Sequence, residues 1–283
     1  MVKNNGEDCF GYEVSDSDFL IAAFDGCGGS ESKKYKNFSG KTGAYVASRA
    51  VCGGVMSWFR QSRTDTELMQ YIQNALAVCV KYSDKAGRNM GSSGKAFPTT
   101  AAILKGTEHP LGIIATCFWA GNSRCYMLDF GGLHQLTADD LDNGDAMSNL
   151  TSDGVMTNLI NTSVPFKLHS KRFLFKQPCI LISATDGCFS YLRSPMEFED
   201  LLVTSLMKSK NISEWKQTIN DRIKAVAGDD YTLCAAAYGF VSFADIKNRL
   251  IERHKLLNER YIKSNTDVQK LWESYKRDYS VYL

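Results

Sequence analysis

The chain is poor in the side chains that most often announce chemistry. Its four histidines, at 109, 134, 169 and 254, are scattered near turns or in the tail, which argues against a histidine metal site and leaves surface polar groups as the expected reading. Nine cysteines contain no C-x-x-C pair, so neither a zinc knuckle nor a redox motif is indicated. Most are expected to be small buried hydrophobes in a reducing compartment. Thirty-three Lys/Arg against 31 Asp/Glu leave a net charge of +2, too little to argue for a chain-wide nucleic-acid or membrane surface. The most apolar stretch, "PLGIIATCFWAG", is shorter than the roughly 18 residues of a membrane-spanning helix. The opening "MVKNNGEDC" lacks a signal-peptide core, so the expected location is cytoplasmic.

What is present is an ordinary globular texture, 44% hydrophobic and 23% charged. Strand-like runs recur at 19–24, 100–104, 112–120, 124–128, 172–175, 179–184 and 231–238. Helical blocks are expected at 41–60 and 64–86, the second opened by a capping box at Thr64-Asp65-Thr66-Glu67. Ser194-Pro195 opens another, and Ile212, Trp215, Ile219, Ile223 and Val226 mark one that stops at Gly228. The segment 139–163 reads as a long surface loop or flap. Trp58, Trp119, Trp215 and Trp272 are expected in the core. Strands and helices that cluster rather than alternate imply an α+β fold with antiparallel sheets under helices.

The texture changes after Phe240. Ser242 caps a charged helix with a stripe of Ile246, Leu250, Leu257, Tyr261, Val268, Leu271 and Tyr275, broken near Asn265-Thr266. Residues 1–240 are thus expected to form the main domain and 241–283 a C-terminal helical extension that packs on the body, self-associates or docks a partner. With nine Lys/Arg against six Asp/Glu, the extension is weakly basic.

Four acidic spots share a format. Glu7 and Asp8 precede a short strand, Asp25 ends the run "FLIAAF", Asp186 follows "ILISAT", and Asp229 with Asp230 precedes "YTLCAAA". Any one of them could simply cap a turn. Together, acids at the ends of neighbouring strands can converge on hard divalent cations, and Gly26 after Asp25 leaves a carbonyl unobstructed.

The ordered set "GED", "FDGCGG", "PTTAAILK", "WAGNSRCYML", "LTADD", "ISATDGCF" and "GDDYTL" resembles the serial motifs of the metal-dependent type 2C protein phosphatases, the PPM family, over most of residues 3–238. The resemblance implies a four-layer α-β-β-α sandwich and a centre of two Mn²⁺ or Mg²⁺ ions. By position, Asp25 would bridge both ions, Gly26 would lend its carbonyl, Asp186 and Asp229 would hold the second, Glu7 would reach a metal directly or through water, and Asp8 would order bound waters. Lys3 stands where the family has a phosphate-binding arginine. The implied reaction is hydrolysis of phosphoserine or phosphothreonine in a phosphoprotein substrate, within a serine/threonine kinase system.

Departures from the pattern leave an alternative open. Cys27 occupies the place of a histidine that is a candidate general acid; its thiol could donate a proton, ligate metal or oxidise as a thiolate, or simply be a small filler. Asn122 replaces an aspartate that helps bind a third metal, so that site is expected to be weak or absent. Asp140 stands for a histidine and Asp230 for an asparagine; both are expected to be surface variants, unless the extra charge of Asp230 beside Asp229 raises metal affinity. Lys3 keeps the charge but lacks the bidentate fork of arginine. These changes also suit a pseudophosphatase that binds a phosphoprotein or partner without turnover. Nucleotide binding is disfavoured, because "DGCGGS" lacks both the G-x-G-x-x-G spacing and a P-loop lysine.

Overall fold

The computed structural model describes residues 6–28, 33–83, 96–142, 144–151, 154–264 and 266–283. Eleven strands lie among them: β1 (Cys9–Val14), β2 (Asp18–Phe24), β3 (Lys34–Tyr35), β4 (Lys41–Thr42), β5 (Ala101–His109), β6 (Gly112–Ala120), β7 (Arg124–Asp129), β8 (Gly132–Gln135), β9 (His169–Phe175), β10 (Cys179–Ala184) and β11 (Leu233–Tyr238). The α-helices are α1 (Gly43–Gln61), α2 (Leu68–Tyr82), α3 (Ser148–Thr151), α4 (Pro195–Lys208), α5 (Ile212–Lys224), α6 (Phe243–Leu257) and α7 (Val268–Tyr279). One antiparallel sheet runs β1-β2-β5-β6-β9, a second runs β11-β10-β7-β8, and β3-β4 is a small separate hairpin.

Strand periodicity explains the layering. Leu20, Ala22 and Phe24 point outward from β2 into a core shared with α1 and α2, whereas Ile21 points inward to meet Cys125, Met127 and Leu181 of the second sheet. The outer face of that second sheet, with Tyr126, Leu128, Ile180 and Ile182, packs under α4, α5, α6 and α7. The result is the α-β-β-α sandwich. Because both faces of the central strands are buried, "FLIAAF" and "CILISA" read as unbroken apolar runs.

Several local expectations need correction. Thr64 does not cap through its side chain; a 3₁₀ turn at Asp65–Glu67 precedes α2, Glu67 N donates to the Thr64 carbonyl, and the Glu67 carboxylate is held by Ser62. The segment 139–163 is no free flap, since bridges Leu141 to Met156 and Thr99 to Ile160 pin it and Met147, Leu159 and Ile160 are buried. His134 is buried rather than surface polar, its Nδ1 2.6 Å from the Asp278 carbonyl. The four tryptophans are buried as expected.

The C-terminal helices join the body's core. Ser242 caps α6 by accepting from Asp245 N, and the buried face of α7 is Trp272, Tyr275 and Tyr279, while Val268 stays exposed. The buried stripe keeps Tyr275 but centres on Trp272 and Tyr279, because the largest rings dominate the burial energy. Arg253 makes a bidentate pair with Glu199 of α4, and Tyr275 donates to the same carboxylate. Trp272→Ala should therefore cost about 3–5 kcal/mol by cavity formation. Thermal denaturation should show a drop of roughly 10 °C, whereas a loosely attached tail would give almost none.

Candidate active site

Antiparallel register gathers the acids. Cys9 pairs with Phe24, which places Asp8, just before β1, beside Asp25, just after β2. In the second sheet Ala184 faces both Leu233 and Arg124, so Asp186 leaves β10 next to the start of β11 and next to Asn122 before β7. Four strand ends from two sheets thus deliver carboxylates to one end of the sandwich.

The surrounding hydrogen bonds fix each group. Asp25 is held by its backbone: its N–H donates to Thr100 Oγ1 at 3.2 Å, and its carbonyl accepts from Thr99 Oγ1 at 2.7 Å and Thr100 N at 2.9 Å. Its carboxylate is left to accept a contact from Cys27 Sγ at 3.4 Å. Asp8 Oδ2 accepts from Thr185 Oγ1 at 2.8 Å, and Asp8 Oδ1 is buried with no hydrogen-bond partner. Asn122 Nδ2 donates to Asp186 Oδ2 at 2.9 Å, while Asn122 Oδ1 is likewise buried and orphaned. Asp230 Oδ2 accepts from Glu7 N at 2.7 Å, and Asp229 Oδ1 accepts from Asp230 N at 2.7 Å. Asp230 is therefore part of the scaffold, not a surface variant.

Two glycines are required by space. A Cβ on Gly28 would lie 1.9 Å from Glu7 Oε2, so only glycine lets the Glu7 carboxylate, also bonded by the Thr42 hydroxyl, fold over this turn. A Cβ on Gly26 would meet the backbone oxygens of Glu7 at 2.7 Å and Ala44 at 2.9 Å.

Crowding of like charge away from water sets the electrostatics. Burial first, then the charges of Asp186 and Asp8, push the Asp25 carboxyl well above its ordinary value. Burial raises Asp8 to about 7 and also raises Asp186, with Asp229 adding repulsion. Glu7 is raised by burial, against the opposing bond from Thr42. The Cys27 thiol is driven well up by burial and by the neighbouring Asp25, so without a cation it is neutral. Native Asp8 keeps a proton that the unfolded carboxyl, near 3.8, has lost. Stability from such a group is full below pH about 4 and is lost as pH rises through 7. In chelator the melting temperature should accordingly fall between pH 5 and pH 8, and Asp8→Asn should flatten that fall; a curve rising over the same window contradicts the assignment.

Does this set suit divalent cations? All donors are oxygens, the buried Asp8 Oδ1 among them is orphaned, and mutual repulsion awaits neutralisation, which is the chemistry Mn²⁺ and Mg²⁺ accept. The fit is chemical rather than preassembled: among the described residues no three carboxylate, thiol or imidazole groups converge on one point.

Asp140 is not the surface variant expected of it, and the role of Asp139 was not anticipated. Asp140 is a structural bolt, accepting from Gly121 N at 2.9 Å and Asn158 Nδ2 at 2.6 Å and lying 2.8 Å from His169 Nε2. Arg124 grips Asp139 with two bonds of 2.6 and 2.8 Å behind Asn122. The double acid in "LTADD" is the only signal the sequence carried for either. Lys3 lies outside the described residues.

This architecture is the fold of the PPM-type serine/threonine phosphatases. The Mycobacterium tuberculosis serine/threonine phosphatase PstP/Ppp superposes with a TM-score of 0.57 at 14% identity, over 84% of this chain and 94% of that one. The S. agalactiae serine/threonine phosphatase gives 0.56 at 15%, over 84% and 95%. The PstP catalytic domain in complex with two manganese ions gives 0.55 at 14%, over 84% and 94%. No protein-family model and no curated protein matches the sequence. No helix among the described residues is long and apolar enough to cross a membrane.

Proposed function

We propose that this protein is a metal-dependent phosphatase that hydrolyses phosphoserine or phosphothreonine in proteins. The observation that carries the reading is the register that brings the strand ends bearing Asp8, Asp25 and Asp186 to one end of a PPM-type sandwich, with Asp8 Oδ1 buried and unpartnered. In this reading Asp25, Asp186 and Asp229, the Gly26 carbonyl, and Glu7 and Asp8 hold two Mn²⁺ or Mg²⁺ ions. Such ions, when bound, neutralise charge on phosphoryl oxygens and lower the pKa of a water. Asn122 bears no charge, so a third ion is held weakly or not at all.

Hydrolysis breaks the bond between phosphorus and the serine or threonine oxygen, and the departing alkoxide needs a proton. The Cys27 thiol, 3.4 Å from Asp25, is the proposed donor. Lys3 is the proposed phosphate ligand. The catalytic unit is residues 1–240, with 241–283 as a helical buttress. The substrate is the product of a serine/threonine kinase, and the expected location is cytoplasmic.

The test is release of inorganic phosphate from a phosphoserine peptide in Mn²⁺ against chelator. Metal-dependent turnover supports the proposal; a folded protein inert towards peptides and p-nitrophenyl phosphate overturns it. A second reading, a phosphoprotein-binding pseudophosphatase, is favoured by Cys27 and by ligands that are not preassembled. It predicts weak Mn²⁺ binding without turnover.

A further inference from the structure

Residues 33–49 carry Lys33, Lys34, Lys36, Lys41 and Arg49 and no acid. Most of this charge sits on the β3-β4 hairpin, whose register pairs Lys34 with Thr42 and whose tip turns through Ser39 and Gly40 at φ 54° and 74°. The hairpin is anchored, not loose: Tyr35 is buried and stacks on Phe97 at 4.8 Å, and Asn37 Nδ2 donates to the Tyr82 carbonyl at 3.1 Å. Lys33, Lys34 and Lys36 are exposed. Rings position two of the ammonium groups, with Lys33 Nζ 4.8 Å from the centre of Tyr35 and Lys41 Nζ 4.5 Å from that of Tyr45. The hairpin also abuts the site directly, because Thr42, the residue after Lys41, donates its hydroxyl to the Glu7 carboxylate.

We propose that the β3-β4 hairpin is the docking surface for an acidic stretch flanking the phosphorylated residue of the substrate. The inference rests on the phosphatase reading and adds a substrate class to it. A cationic strip beside a site lined by carboxylates attracts acidic side chains that the carboxylates themselves would repel, and so orients the peptide as well as holding it.

The experiment compares two phosphoserine peptides, one flanked on each side by aspartates and one by lysines. At low salt the acidic peptide should show a KM roughly ten-fold lower, a preference that shrinks as salt screens it. The Lys33→Glu/Lys34→Glu variant, shown to be folded by its melting curve, should lose or reverse that preference. Equal KM values, or a preference unchanged in the variant, overturn the proposal. Fluorescence anisotropy of the unphosphorylated aspartate peptide separates this from the parent reading. Binding that the variant loses, with neither phosphopeptide hydrolysed, sustains the hairpin and refutes the phosphatase. Equally tight binding of a single-stranded oligonucleotide of the same charge refutes the acidic-peptide assignment.

Discussion

Asp25→Asn is expected to lower phosphate release by about a thousand-fold or more, because losing the central carboxylate removes several kcal/mol of charge stabilisation. The same substitution should leave the fold intact. Thr99 and Thr100 bind the backbone of Asp25, not its carboxylate, and the side chain's main partners are the acids Asp8 and Asp186, which repel it. In chelator the variant should melt at a higher temperature than the parent protein, and Mn²⁺ should stabilise it less. An active variant, or one that unfolds, would show that Asp25 serves structure rather than chemistry.

Arg124→Met is the substitution expected to cost most stability near the site. The guanidinium and the Asp139 carboxylate are only 2% and 3% exposed, so removing the cation strands a buried anion. The loss should be about 3–5 kcal/mol. Arg124 also lies 4.4 Å from the centre of the Phe189 ring and 3.5 Å from Tyr279 Oη, which ties the site to α7. Adding Asp139→Asn should recover part of the loss, since no unpaired charge then remains. Urea denaturation of both variants reads the difference; a single variant as stable as the parent would show that the pair contributes little.

How much was legible follows from how each signal is encoded. The central strands could be read because burial on both faces makes them continuous apolar runs, and the strand-end acids because each abuts such a run. The hairpin β3-β4 and the strand β8 escaped notice: they have two, two and four residues, too few to show a period. The Thr64 capping box failed because the hydroxyl of Ser62, two residues earlier, occupies Glu67. The pairing of Asp140 with His169 spans 29 residues and depends on β9 lying beside β6, which no local pattern encodes. His134 is buried by α7 arriving from the far end of the chain. In α7 the expected stripe included Val268, which is exposed, and missed Trp272 and Tyr279, because ring burial prevailed.

The central claim is that carboxylates delivered by β1, β2, β10 and β11 jointly hold divalent cations. Calorimetric titration of Mn²⁺ at pH 7 addresses it without reference to any substrate. The account predicts two ions bound per chain, protons released as the raised carboxyls ionise, and loss of both signals in Asp25→Asn. Absence of binding in the parent protein, or binding that Asp25→Asn leaves unchanged, would contradict it.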